Sequence, residues 1–104
     1  MKREELIGNW KSSKFSEWMH LNSDGTGVHE KRAADGTVDS LTATWQYADD
    51  THWKFKVVIP PEPDTPGLEA GAIDVSDFEV ISFSRERMEV ALFDYESTFI
   101  YERV

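Results

Sequence analysis

Residues 41–59 read LTATWQYADDTHWKFKVVI, and this stretch decides the fold. Apolar residues occupy alternate positions on both sides of the central Ala-Asp-Asp-Thr segment, which is the period of a β-strand with one buried face. A three-residue loop over residues 49–51 puts both apolar series on one face, whereas a two-residue loop would turn Lys54 and Lys56 inward, where unpaired charges are costly. The stretch is therefore predicted to be a β-hairpin with inner side chains Leu41, Ala43, Trp45, Tyr47, Trp53, Phe55, Val57 and Ile59.

Two Asp-Gly pairs, at residues 24–25 and 35–36, mark further hairpins upstream. Read as two-residue type I′ turns, which need positive φ at both central residues, they give a consistent register for the strands around them. This register turns Phe15, Met19, Leu21, Val28 and Glu30 inward. It places Trp18, His20, His29 and Lys31 on the outer face, with His20 directly opposite His29. Such a pair could chelate a divalent metal, but it lacks a third ligand, so we predict no metal site.

The segment after Ile59 reads PPEPDTPGLEAGAIDVSD and contains all four prolines, five acids and no base. Because proline cannot donate to a sheet ladder, residues 60–77 are predicted to form an acidic flap rather than a strand. Three more strands follow, with a turn at Arg85-Glu86 that points Ile81, Phe83, Met88, Val90 and Leu92 inward. Their outer face then carries Phe78, Val80, Phe93 and Ile100, an apolar patch of the kind that marks a homodimer or partner surface. The alternative is that the flap or the N-terminal segment covers this patch. Trp18 is predicted to be a further contact residue.

Together these segments make about eight short strands in up-and-down order, which are best satisfied by closing into one antiparallel β-barrel without exposed edges. The chain of 104 residues is predicted to be a single all-β domain over residues 1–104. Little helix is expected, and the best place for any is the lead-in Lys2 to Leu6 or the acidic flap.

Gly8-Asn9-Trp10 opens the first predicted strand, and the last strand, residues 98–104, carries Arg103. A Gly-x-Trp followed by an up-and-down all-β chain that ends on an inward Arg resembles the lipocalins and the wider calycin group. The short, cysteine-free chain looks most like the short bacterial lipocalin-like domains. The resemblance implies that Trp10 closes one end of the barrel and that Arg103 stacks across it, a cation–π pair of about 0.5–2 kcal/mol.

Strand direction places the turns at residues 24–25, 49–50 and 85–86 at the end closed by Trp10, and the flap over the opposite end, the mouth. A small apolar ligand is expected in the mouth half of the barrel, with its polar end met by Glu30 or Tyr101. The predicted lining residues are Phe15, Met19, Glu30, Leu41, Ile59, Leu92, Phe99 and Tyr101. An interior filled by side chains is the competing interpretation, since eight strands leave a lumen that side chains can just fill.

The formal net charge of −9 disfavours binding to nucleic acid and to anionic membrane surfaces. The chain has no Gly-rich phosphate loop, no Gly-x-Ser-x-Gly elbow and no cysteine, so we predict a non-enzymatic protein without a cofactor. Cytoplasmic location is expected because no apolar leader is visible. The main hypothesis is binding of a small apolar molecule. The alternative is an acidic protein-interaction or immunity-type inhibitor module whose barrel is a filled scaffold.

Overall fold

The computed structural model describes residues 1–59, 72–92 and 98–104, which form one closed antiparallel barrel. Each strand pairs with the next along the chain, and the first strand pairs with the last, so the up-and-down barrel predicted from the sequence is confirmed. The strands are β1 (Gly8–Ser12), β2 (Glu17–Leu21), β3 (Thr26–Arg32), β4 (Val38–Asp49), β5 (His52–Ile59), β6 (Ala72–Phe83), β7 (Arg87–Leu92) and β8 (Thr98–Arg103).

A four-residue helix, α1 (Arg3–Leu6), precedes β1 at the position predicted for the lead-in. The backbone N–H of Lys2 donates to the Glu5 carboxylate at 2.8 Å, which satisfies one of the donors that the helix start leaves free. Leu6 is fully buried and turns the helix onto the barrel. No helix in the described ranges is long and apolar enough to cross a membrane.

The hydrophobic core lies inside the barrel and is formed by alternate side chains of the strands, as the period-two pattern requires. The predicted face and register of the hairpin over residues 41–59 are confirmed, because Tyr47 pairs with Trp53 and Trp45 with Phe55. The predicted three-residue loop is wrong, because Asp49 pairs with His52 and a β-bulge between Tyr47 and Asp49 takes up the extra residue. The indoles at positions 10, 45 and 53 are all buried. The side chain of Ile59 lies outside the described residues.

The closed end is built around Trp10, whose ring is 0% exposed. The Arg103 guanidinium lies 4.2 Å above this ring, which confirms the predicted cation–π contact. Arg103 also donates to three backbone carbonyls, those of Glu5 at 2.5 Å, Ile7 at 2.9 Å and Arg85 at 2.6 Å. One cation therefore ties the helix, the start of β1 and the β6–β7 turn to the last strand.

The predicted register of β3 is wrong by one residue. Leu21 pairs with Gly27 and His29 pairs with Leu41, because both Asp-Gly loops contain three residues rather than two. Within these two loops only the glycines, Gly25 and Gly36, have positive φ, at +88° and +91°, whereas a type I′ turn would also need it at the preceding Asp. A one-residue shift exchanges the two faces of a strand, so Val28 points outward and His29 inward.

Two predictions for β6 are also corrected. The strand begins at Ala72, so the segment proposed as a flap over residues 60–77 ends in a strand, and its remainder lies outside the described residues. A β-bulge between Val80 and Ser82 changes the phase of alternation along β6. Phe78 and Val80 are consequently buried inside the barrel, and Ile81, predicted inward, is 53% exposed.

Candidate ligand-binding cavity

A cavity of about 380 Å³ occupies the mouth half of the barrel. Every lining strand contributes from the end that lies away from the closed-end turns. The lining residues are Phe15, Glu17, Met19, His29, Lys31, Leu41, Phe55, Val57, Asp74, Ser76, Phe78, Leu92, Phe99 and Tyr101. The volume lies within the range of small-molecule sites, which starts near 300 Å³.

The inner wall of the cavity is apolar and aromatic. Met19, Phe55 and Phe78 are buried side chains of the core, and the Phe78 and Tyr101 rings meet edge to face with centroids 6.2 Å apart. Leu41, Leu92 and Phe99 are partly buried and pack against the same core. The inner end of the cavity therefore offers a ligand hydrocarbon and aromatic surface that is removed from water.

Three polar side chains, one from β2 and two from β3, line another side of the cavity. Glu17 accepts ion-pair contacts from Lys31, with Nζ to Oε1 at 3.7 Å, and from His29, with Nε2 to Oε2 at 3.8 Å. Burial of the imidazole lowers the pKa of His29, although the Glu17 carboxylate opposes that shift. His29 is therefore mostly neutral at pH 7, and the cationic partner of Glu17 is Lys31.

Two further polar side chains reach the cavity from other strands. Tyr101 on β8 is buried, and this burial together with the negative charge of Glu17 raises the pKa of its phenol to about 12. The phenol is thus protonated at neutral pH and can donate a hydrogen bond. Asp74 lies on β6 opposite Val57 and lines the cavity with Ser76.

Most of the predicted lining residues meet in this cavity. Phe15, Met19, Leu41, Leu92, Phe99 and Tyr101 all line it. Phe15 lies at the rim and is 47% exposed. The side chain of the seventh predicted residue, Ile59, is outside the described residues.

Glu30, the predicted ligand anchor, does not reach the cavity, and its predicted inward placement is wrong. It lies on the outer face of β3, where its carboxylate accepts a 2.7 Å hydrogen bond from Arg32 and lies 3.6 Å from His20. The physical reason is the one-residue shift of β3, which brings His29 and Lys31 inward in its place. The predicted opposition of His20 and His29 fails for the same reason, since the two rings are on opposite faces. Among the described residues, no group of three metal-ligating side chains occurs.

The predicted apolar partner surface on the last three strands is not formed by the residues assigned to it. Phe78 and Val80 face the interior, Ile100 is half-buried on the outer face, and Phe93 lies outside the described residues. Trp18 is on the outer face as predicted, but it is half-buried between cations, with Arg32 Cζ at 4.0 Å and Lys11 Nζ at 5.4 Å from its ring centre.

Eight lining residues were not predicted from the sequence: Glu17, His29, Lys31, Phe55, Val57, Asp74, Ser76 and Phe78. Phe55 was placed inward but not assigned to the site. The available signal for β3 was the glycine in each Asp-Gly pair, because a glycine suits the single positive-φ position of a three-residue loop as well as the second position of a type I′ turn. The signal for β6 was the alternation of Ile73, Val75 and Asp77 with Asp74, Ser76 and Phe78, which is strand-like despite the acids.

Two solved structures share this fold over nearly the whole chain. A lipocalin-like protein from Bacteroides uniformis ATCC 8492 superposes with a TM-score of 0.63 at 14% identity, covering 96% of this chain and 99% of that one. An uncharacterized protein from Bacteroides eggerthii DSM 20697 gives 0.60 at 13% identity, covering 94% and 98%. No protein-family model and no curated protein matches the chain. The likeness to bacterial lipocalin-like proteins is confirmed as a likeness of fold.

Proposed function

We propose that this lipocalin-like barrel is a non-enzymatic binding protein that holds one small, largely apolar molecule in the cavity at its mouth. The observation that carries the proposal is the cavity of about 380 Å³, which has an aromatic inner wall and polar side chains from β2, β3, β6 and β8. Pockets of this kind are the usual sites for small molecules. The fold supports the proposal only in general terms, because a shared fold can host many functions.

The apolar wall supplies the affinity in this proposal. Burying apolar surface stabilises a complex by about 25 cal/mol per Å². Phe55, Phe78 and Phe99 present ring surface to a ligand, and Tyr101 can donate a hydrogen bond to a polar atom of the ligand. The hollow at the closed end is larger, about 440 Å³, but it is lined by charged residues and Ile7 without an aromatic wall, so it does not fit an apolar ligand.

Binding of the neutral fluorescent probe N-phenyl-1-naphthylamine tests the proposal. The wild-type protein is expected to bind the probe with a Kd in the micromolar range, on the order of −8 kcal/mol. Leu41→Trp places an indole in the cavity and should weaken binding at least tenfold. Thr42→Trp adds the same ring on the exposed outer face of the same strand and should leave the Kd unchanged.

The proposal is wrong if the folded wild-type protein does not bind the probe, or if Leu41→Trp and Thr42→Trp bind it equally well. Circular dichroism of both variants shows that the barrel is intact. Native mass spectrometry of freshly purified protein would also show any small molecule that copurifies, together with the number of subunits.

The alternative of an acidic protein-interaction module has one observation in its favour. Val58, Ile73 and Val75 are exposed on the outer face of β5 and β6, and Val58 pairs directly with Ile73. Exposed apolar patches mark contact surfaces on many proteins. Sedimentation velocity at micromolar concentration tests self-association through this face: Ile73→Lys should shift a dimer to monomer, and a wild-type monomer would contradict the homodimer.

A further inference from the structure

The described lining of the cavity carries more negative than positive charge, and this imbalance bears on the class of ligand that it can bind. Glu17 and Asp74 each contribute a negative charge, Lys31 contributes one positive charge, and His29 is mostly neutral at pH 7. The lining residues that the structure describes therefore carry a net charge of about −1. A bound anion would meet repulsion there, whereas a bound cation would complete the balance.

The only lysine among the described lining residues is already paired with an acid. Lys31 contacts Glu17 at 3.7 Å, and its side chain is 58% exposed at the rim, where water screens its charge. Asp74 is exposed as well, but it makes no ion pair with any residue of the described ranges. The segments 60–71 and 93–97 contain five acids and no Lys, Arg or His, so their composition offers no cation for Asp74.

Aromatic rings provide a second attraction for a cation. Phe15, Phe55, Phe99 and Tyr101 line the same cavity as Asp74. The faces of such rings carry partial negative charge, and a cation within about 6 Å of a ring centre is stabilised by about 0.5–2 kcal/mol. The formal charge of −9 on the whole chain adds a field that draws cations to the surface and repels anions.

We propose that the cavity selects amphiphilic amines, in which a protonated amino group is attached to an apolar or aromatic body, over carboxylates of the same size. The ammonium group binds near Asp74, and the body lies against Phe55, Phe78 and Phe99. This inference rests on the proposed function and specifies its ligand class. It assigns to Asp74 the recognition of charge and to the aromatic wall the recognition of the body.

Three probes with the same chain length test the inference by isothermal titration calorimetry at pH 7. They are octylamine, which is protonated at this pH, octan-1-ol, which is neutral, and octanoate, which is an anion. Octylamine is expected to bind at least tenfold more tightly than octanoate, with octan-1-ol between them. Raising the salt concentration from about 20 mM to about 300 mM should reduce the ratio of the octylamine and octanoate affinities, because salt screens charge.

Asp74→Asn tests the recognition of charge, and Asp77→Asn is its matched control on the outer face of the same strand, where Asp77 pairs with Lys54 at 3.4 Å. Asp74→Asn should weaken octylamine binding about three- to tenfold and leave octan-1-ol binding unchanged. Asp77→Asn should change neither affinity.

The outcomes separate the two proposals. If none of the three probes binds, the proposed function is wrong and the inference about its ligand class falls with it. If octan-1-ol binds while octanoate binds as tightly as octylamine or more tightly, the proposed function stands and the preference for amines is overturned. An unchanged octylamine affinity in Asp74→Asn overturns the role of Asp74.

Discussion

The two ends of the barrel are formed by the same strands but differ in how tightly their side chains pack. At the closed end, Trp10 is buried, its indole N–H donates to the Leu6 carbonyl at 2.9 Å, and Arg103 covers the ring while it satisfies three carbonyls. At the mouth, charged and polar side chains face inward and Phe15 is half-exposed. The difference indicates that the closed end supplies stability and that the mouth has given up close packing for a cavity. Substitutions at the two ends should therefore separate stability from binding.

The largest effect is expected from truncating the ring that closes the barrel. Trp10→Ala should lower the free energy of unfolding by about 3–5 kcal/mol, because it removes a fully buried side chain and leaves a cavity. Phe15→Ala at the mouth should cost less than about 1 kcal/mol, since that ring is already half in water. Urea denaturation measures both, and equal losses would contradict the division between the ends.

A glycine pair sharpens the same comparison through the backbone. Gly8 and Gly36 both have positive φ, at +137° and +91°, but a Cβ on Gly8 would lie 2.5 Å from Nη1 of Arg103, whereas a Cβ on Gly36 has nothing within 4 Å. Gly8→Ala should destabilise the protein by about 2–3 kcal/mol, and Gly36→Ala by about 1 kcal/mol from backbone strain alone. If thermal and urea unfolding show the two variants to be equally stable, Arg103 is not held as firmly as its contacts indicate.

Alkaline pH should act on the mouth through Tyr101. Its pKa is raised from 10.0 to about 12, so the folded state keeps a proton that the unfolded chain releases. The stabilisation that this proton provides is fully present below pH 10 and is lost as pH rises toward 12. At pH 11 the free energy of unfolding should have fallen by about 1 kcal/mol. Comparing the unfolding free energies of wild type and Tyr101→Phe at pH 9 and pH 11 isolates it. A parallel pH dependence in both proteins would show that the phenol is not buried in the folded state.

The smallest effects are expected from two histidines, with opposite signs at the two ends. Burial lowers the pKa of His29 below 6.5, so stability falls as pH decreases below 6.5 and the unfolded chain takes up the proton first. The hydrogen bond to Asp49 raises the pKa of His52, at a closed-end turn, so its contribution is full below pH 6.5 and is lost as pH rises through the folded-state pKa.

Thermal unfolding at pH 5.5, 6.5 and 8 checks this prediction. Relative to wild type, His29→Gln should raise the Tm at pH 5.5. His52→Gln should lower the Tm at pH 5.5 and change it less at pH 8. The same sign in both variants would contradict the assignment of the two environments.

Strand β3 shows which part of the fold the sequence determines and which part it leaves open. Both Asp-Gly loops were assigned one residue too few, and these two shifts cancel between β2 and β4. The inward placement of Met19, Leu21, Ala43 and Trp45 is therefore correct, and only the strand between them was assigned to the wrong face. Its own residues gave little guidance, because Val28, His29, Glu30 and Lys31 have no clear apolar alternation.

The candidate site could be predicted only in part for the same reason. Apolar positions such as Leu41, Leu92 and Phe99 follow from alternation, since burying them on the core face determines the register. Inward polar residues such as His29 and Asp74 break that pattern, so alternation cannot find them. The bulge at residues 80–82 is likewise a tertiary solution, which lets Val80 and Phe83 both face the interior although they are an odd number of residues apart.

The pairing of β1 with β8 has a consequence for how the protein is made. Trp10 pairs with Arg103, and the Val104 N–H donates to the Asn9 carbonyl at 3.0 Å, so the seam of the barrel joins the earliest strand to the latest. During synthesis, β1 keeps an unpaired edge until β8 has emerged from the ribosome. The entropy cost of closing so long a loop slows the pairing of these two strands. A chain that lacks residues 98–104 would leave two unpaired strand edges, which are templates for pairing with other chains.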